Sequence, residues 1–219
     1  MRREEENTLE IWIPKTELGK LVKTGKIKSI EEIFKLNQVI LEPEIVDTLV
    51  PNLETELIKI GQAKGKFGGG KRRPWRQTQK KTAEGNVPKF ACMVVVGDKK
   101  GYVGLGWGKA KETVPAKLKA IRQAKLNLIK IKRGCGSIDC TCIEPHSIPV
   151  KTEGKEGSVK IKLMPAPKGT GLVLEGECRK MLRLAGVKDV YSKSEGKTKT
   201  KFNMLKACFK ALIKLNEVV

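Results

Sequence analysis

Four residues stand closest to a recognisable chemistry. Cys135, Cys140, Cys142 and His146 follow a C-x4-C-x-C-x3-H pattern within twelve residues, and zinc is held tetrahedrally by four such sulfur and nitrogen ligands. The spacing is not that of the common C-x2-C knuckle, yet His146 is the only histidine of the chain and three of its six cysteines fall beside it. A structural zinc and a connector of reduced thiols are both readings of this pattern. A catalytic zinc fits poorly, because four protein ligands leave no open position and no glutamate stands in the H-x-E relation of zinc deaminases. Cys92, Cys178 and Cys208 lie in apolar strand or helix patterns and read as core. With the one histidine in this cluster, no Ser/His/Asp constellation exists, and no pair of carboxylates is singled out by its placement.

Two glycine-rich stretches invite a phosphate reading and fail it. Gly65 to Arg72, GKFGGGKR, matches the phosphate-loop pattern through Lys71, but Arg72 stands where Ser or Thr must hold magnesium, and Arg73-Pro74 follows where a helix must begin. Gly104-x-Gly106-x-Gly108 lacks the three-residue step of the dinucleotide fingerprint. In a strand these glycines share one face while Val103, Leu105 and Trp107 share the other, so one face is nearly bare backbone. Such a face awaits a close approach by a helix, another chain or a ligand.

Charge points to the partner. The formal net charge is +21, and it is uneven: residues 61–90 hold 9 Lys/Arg against 1 Asp/Glu, whereas residues 1–60 hold 9 against 12. A basic excess of this size favours a polyanion, since each neutralised phosphate releases condensed counterions. Nucleic acid leads and an anionic membrane surface trails. Residues 61–89 read as one long basic loop with Phe67 and Trp75 as its aromatics, a composition suited to phosphate contact and base stacking, or else as a disordered tether. Met1 to Glu10 has no apolar signal core and no run reaches a membrane span, which predicts a soluble cytoplasmic protein with reduced cysteines and no membrane partner.

The elements that must position these residues follow from local pattern. Phe90 to Val96, a turn at Gly97-Asp98-Lys99-Lys100-Gly101 and Tyr102 to Gly108 predict a hairpin. Val114, Leu118, Ile121, Ala124 or Lys125, and Leu128 have helical spacing, with Thr113 as cap and Lys117, Lys119, Arg122 and Lys125 mostly off the stripe. Residues 1–51 read as a helical extension that packs on a body without a core of its own: Thr16 caps one segment, Ser29 with Glu32 has capping-box spacing, and Pro43 opens a third. Leu57 to Ile60 is a brief strand. Residues 52–133 make the first domain, 134–146 the Cys/His connector and 147–219 a second, α/β domain. In that domain Ser147 to Lys151 and Val159 to Leu163 read as strands, Gly176 to Ala185 as a helix stopped by Gly186, Val187 to Tyr191 as a strand, and the segment with Leu205, Phe209, Leu212 and Ile213 as a final helix. The class is α+β.

An ordered series of motifs then resembles one family. KFACMVVVGD (Lys89 to Asp98), Gly101 to Gly106, Gly108-Lys109-Ala110-Lys111-Glu112, MPAPKGTG (Met164 to Gly171) and LAGVKDV (Leu184 to Val190) are similar to the small-subunit ribosomal protein of the S-five family. Arg133 to Ser137 with Cys140, Cys142, Pro145 and His146, and the extension with Glu42 to Ile45, resemble its archaeal form. The resemblance implies a first domain of double-stranded-RNA-binding-like fold, with helix and antiparallel sheet, and a second two-layer α/β domain with a left-handed crossover. It implies a non-enzymatic structural constituent of the small subunit that binds ribosomal RNA beside the S-four family protein, near the path by which messenger RNA enters, and supports decoding accuracy.

No cofactor is required on this reading; a structural zinc at the Cys/His cluster is the one candidate. The family's Gly-Arg-Arg loop is matched by Gly70-Lys71-Arg72-Arg73, and Pro74 to Pro88 stands as an insertion before Phe90. Candidate RNA-binding residues are Lys64, Lys66, Gly70, Lys71, Arg72, Arg73, Arg76, Lys80, Lys81, Lys109, Lys111 and Lys168. The competing reading is a free-standing RNA-processing or nucleotide-using enzyme built on the second domain.

Overall fold

A computed structural model describes residues 12–36, 38–62, 72–138, 140, 142 and 144–218. Three short helices open it: α1 (Glu17–Lys23), α2 (Ile30–Lys35) and α3 (Pro43–Leu49). The Thr16 hydroxyl accepts the Gly19 amide at 3.1 Å, and the Ser29 hydroxyl accepts the Glu31 amide at 3.2 Å. Both bonds satisfy first-turn donors that a helix leaves unpaired. Glu42 clasps the preceding chain, accepting from the Trp12 indole at 2.8 Å and from the Lys15 and Thr16 amides at 2.9 and 2.7 Å.

Contrary to expectation the extension does form a small core. Leu18, Val22, Ile30, Ile33, Ile40, Ile45 and Val46 bury together and close on Leu128. Each helix is too short to display a period, so the apolar set converges only in space. Phe34 stacks on Tyr102 with centroids 6.2 Å apart, and Lys125 pairs with Asp47 at 2.6 Å, joining the extension to the body.

The first sheet contains β1 (Glu54–Ile58), β2 (Arg76–Thr82), β3 (Gly85–Gly97), β4 (Tyr102–Ala110) and β5 (Leu128–Lys130). Its order is β1-β3-β4-β5, with β2 also on β3, all antiparallel. The hairpin expected around Gly97 to Gly101 is present. Its turn is fixed by Asp98, whose carboxylate accepts the Lys100 and Tyr102 amides at 2.7 and 3.0 Å.

The reading of residues 61–89 as one loop is corrected. Arg76 to Thr82 pairs with Gly85 to Ala91 and extends β3 beyond the end of β4 as a two-stranded ribbon. Polar residues on both faces hide the period of an exposed ribbon, so composition alone mimics a loop.

Helix α4 (Thr113–Leu126) covers the glycine face of β4. The predicted stripe is also corrected: Val114 and Leu118 are 66 % and 61 % exposed, while Ala116, Ala120 and Ala124 are fully buried. The glycines explain the choice. A Cβ at Gly104, Gly106 or Gly108 would lie 2.1, 2.0 or 2.1 Å from the carbonyl oxygens of Ala124, Ala120 and Ala116. Helix and strand are in backbone contact, and only alanine fits between them.

The opposite face of the first sheet joins a continuous core with the second. Met93, Val95, Val103 and Leu105 pack with Ile161, Leu163, Met181, Leu182, Leu205 and Leu212. The second sheet contains β6 (Thr152–Glu156), β7 (Val159–Pro165), β8 (Leu172–Val173) and β9 (Val190–Glu195), in the order β6-β7-β9-β8, with β8 parallel to β9.

Helix α5 (Gly176–Leu184) links β8 to β9, and α6 (Lys201–Val218) follows β9. Two strands sit later than expected. Ser147 makes only a bridge with Gly134, so the first strand begins at Thr152. Val187 caps α5 by donating its amide to the Leu182 carbonyl at 3.0 Å, with Gly186 at φ +78°, which delays the last strand to Val190.

Candidate functional site

Two places gather the residues singled out above. The first is the free end of the first sheet. Residues paired across antiparallel strands share a face, and side chains alternate along each strand. The face carrying Leu105 opposite Val95 continues to Trp107 opposite Met93, then to Lys109 beside Ala91 and Arg76. Along the ribbon it goes on to Lys89 opposite Thr78 and Lys80 opposite Val87.

Trp107 marks the border. Its ring meets Phe202 of α6 edge-on, centroids 5.9 Å apart, and it is 42 % exposed. Beyond it no described residue covers the face, and Arg76, Lys80, Lys89 and Lys109 are all exposed. Among the described residues these four form no ion pair with a carboxylate.

The other candidates are more scattered. Lys81 lies opposite Asn86 on the other face of the ribbon, and Lys111 follows β4, exposed. Arg72 is half-buried, its guanidinium donating to the Lys199 carbonyl at 3.0 Å at the surface, while Arg73 is exposed and its carbonyl accepts the Gly61 amide at 2.8 Å. Trp75, expected to be available for stacking, packs half-buried against the cluster of Cys92 and Val94. Lys64, Lys66, Phe67, Gly70 and Lys71 lie outside the described residues. Lys89 was not singled out by sequence; only the pairing register places it in this row.

The second place is the connector. The ligand atoms of Cys135, Cys140, Cys142 and His146 all lie within 4.8 Å of one another. Cys140 Sγ is 2.9 Å from Cys142 Sγ and 3.5 Å from His146 Nε2. Hydrogen bonding from Cys142, then from backbone amides, holds Cys140 down to about 6, and the same contact pushes Cys142 up to about 12.

His146 is 2 % exposed, and its Nδ1 lies 2.7 Å from the Asp189 carboxylate, itself 4 % exposed. Asp189 also escaped the sequence reading, because nothing local marks a partner 43 positions away. Lys168 sits at the same place, exposed, with its ammonium 3.2 Å from Glu144; that ion pair lowers the Glu144 carboxyl and raises the lysine. The remaining cysteines are core thiols, and burial pushes Cys92 up to about 11.

This is a strongly basic, two-sheet α+β protein with an uncovered cationic ribbon. No described helix is long and apolar enough to cross a membrane. The family models for the N-terminal and C-terminal domains of ribosomal protein S5 match residues 74–132 and 154–219. The small ribosomal subunit protein uS5 of Nanoarchaeum equitans is 54 % identical over 96 % of this chain and 90 % of its own length. The proteins of the same name from Thermofilum pendens and Aeropyrum pernix are 49 % and 50 % identical, each over 93 % of this chain and over 93 % and 87 % of their own lengths.

The chain belongs to the ribosomal protein S5 family, whose members are ribosomal structural proteins and not enzymes. The N-terminal family match begins at residue 74 and therefore takes in the segment from Pro74 to Pro88. That segment is part of the family's domain rather than an insertion.

Proposed function

We propose that this protein is a structural constituent of the small ribosomal subunit in the cytoplasm, and that it binds ribosomal RNA through the uncovered face of its first sheet. The observation that carries this is the row Arg76, Lys80, Lys89 and Lys109: four exposed cations on one face, with no carboxylate partner among the described residues. Lysine and arginine left unpaired at a surface are available to phosphates, and each contact adds a counterion-release contribution to affinity. A ribbon is also narrow enough to follow a groove or lie along a strand of backbone.

On the resemblance of its motifs we read its position as beside the S-four family protein, near the path by which messenger RNA enters, with a role in supporting decoding accuracy. We read the first sheet with α4 as a double-stranded-RNA-binding-like unit, supported by a helix that follows the β3–β4 hairpin and lies flat on its glycine face. The second sheet is read as the α/β unit with a left-handed crossover, supported by the parallel β8–α5–β9 connection.

Sedimentation of the tagged protein tests the reading. It should co-migrate with the small subunit, and nuclease footprints on that subunit should shrink when Arg76, Lys80, Lys89 and Lys109 are changed to glutamate. A protein that stays at the top of the gradient would contradict the ribosomal assignment; an unchanged footprint would contradict the surface.

A further inference from the structure

The basic ribbon leaves the Cys/His cluster unexplained. Its setting differs from that of incidental thiols. Gly134 and Ser147 exchange both backbone hydrogen bonds at 2.9 Å, which closes the connector into a loop with fixed ends. The carbonyl of His146 accepts the Lys188 and Asp189 amides at 2.8 and 3.2 Å, and the buried Ser147 hydroxyl donates to the Asp189 carbonyl at 2.6 Å. The start of β7–β9 packing is thereby locked to the loop that carries the four ligands. His146 spends Nδ1 on Asp189 and turns Nε2 toward Cys140. A carboxylate on the far nitrogen of an imidazole fixes its tautomer and raises its basicity as a ligand.

We propose that Cys135, Cys140, Cys142 and His146 bind one zinc ion, and that Asp189 couples this site to the turn between Pro165 and Gly171, so that metal occupancy sets the position of Lys168. The donor set is three sulfurs and one nitrogen, which selects zinc and forms a closed, structural site. Tetrahedral bonds of ordinary zinc length place donor atoms ~3.5–3.8 Å apart. Cys140 and His146 already have that spacing at 3.5 Å, and Cys140 and Cys142, at 2.9 Å, need only open slightly.

The coupling runs through the second oxygen of Asp189. It accepts the Gly171 amide at 2.7 Å, and Gly171 has φ +74°, a conformation that favours glycine and closes the turn. Lys168 itself pairs with Glu144, two residues after the ligand Cys142, at 3.2 Å. One side of the turn is held by the ligand-bearing loop and the other by the residue that orients a ligand.

Cobalt(II) added to the reduced full-length chain is the direct test, followed by zinc competition and hydrogen exchange at Gly171. One cobalt per chain is expected, with thiolate charge-transfer bands and the intense visible bands of a tetrahedral ion, displaced by one zinc. Removing zinc with a chelator is expected to speed exchange at Gly171 by at least about tenfold.

In Asp189→Asn the side-chain amide donates to Nδ1 and moves the imidazole proton onto Nε2, the ligand atom, so zinc should bind about 10–100-fold more weakly. His146→Cys keeps four ligands and should keep the metal while freeing Asp189. No thiolate band, or a Cys140–Cys142 disulfide in place of metal, would overturn the site. Gly171 exchange unchanged by zinc would overturn the coupling. Neither readout involves RNA, so both are independent of the proposed RNA surface.

Discussion

The two ends of the first sheet are built to opposite rules. At the end holding Gly104, Gly106, Val95 and Leu105, both faces are covered, one by α4 in backbone contact and the other by the core shared with the second sheet. At the end holding Arg76, Lys80, Lys89 and Lys109, one face is, among the described residues, bare and its charges unmatched.

The lysines of the second half show that exposed cations need not be left this way. Lys162 lies between Glu153 and Glu195 at 3.5 and 3.6 Å, and Lys210 lies 2.6 Å from Glu156. One end of the sheet holds the fold and the other carries the cations that the proposed function assigns to RNA. The continuous β3 strand joins them, so a rigid support carries the basic row.

The largest effect should come from breaking the covered end. In Gly106→Val the new Cβ would meet the Ala120 carbonyl at 2.0 Å, a backbone atom that cannot swing aside. A loss of more than about 4 kcal/mol in denaturant unfolding is expected. Stability near wild type would show that α4 can lift from the strand, and the backbone-contact account would be wrong.

Next in size is a test of which face of the ribbon matters. Lys80→Glu should weaken RNA binding about tenfold at moderate salt, whereas Lys81→Glu, on the other face, should change it about twofold. Equal losses from both would replace a directed face with a general charge effect. Neither change should move stability by more than about 0.5 kcal/mol, because both residues are exposed.

Paired lysines supply the contrast. Lys162→Gln should leave RNA affinity within about twofold of wild type and cost at most about 1 kcal/mol of stability, as for a surface ion pair. A large loss of RNA affinity would move the interface to the second sheet.

The smallest effect is acid-dependent. Lys210 holds the Glu156 carboxyl below its ordinary value, so this pairing stabilises the fold above that value and is lost as pH falls through the folded-state value. The thermal midpoints of wild type and Lys210→Gln should therefore converge on acidification; a gap that persists at low pH would show the lysine acts through packing.

The sequence made some of this legible and concealed the rest for physical reasons. Thr16, Ser29 and Pro43 marked the first helices correctly, because caps act locally. The bare glycine face of β4 was visible, but what covers it was not, and the helix stripe was misassigned to Val114 and Leu118. Large apolar residues usually mark the buried side, and here a glycine partner admits only Ala116, Ala120 and Ala124. The ribbon was hidden by polar residues on both faces. The ligand set at 135–146 was legible as a pattern, whereas Asp189 and Lys89 acquire their places only through tertiary pairing.

The most direct measurement is the salt dependence of binding to small-subunit ribosomal RNA by wild type and by the Arg76→Glu, Lys80→Glu, Lys89→Glu, Lys109→Glu variant. Losing four phosphate contacts predicts that the slope of log affinity against log salt flattens by about 3–4, with unfolding unchanged. A slope equal to that of wild type, in a variant that folds normally, would contradict the assignment of RNA binding to this face.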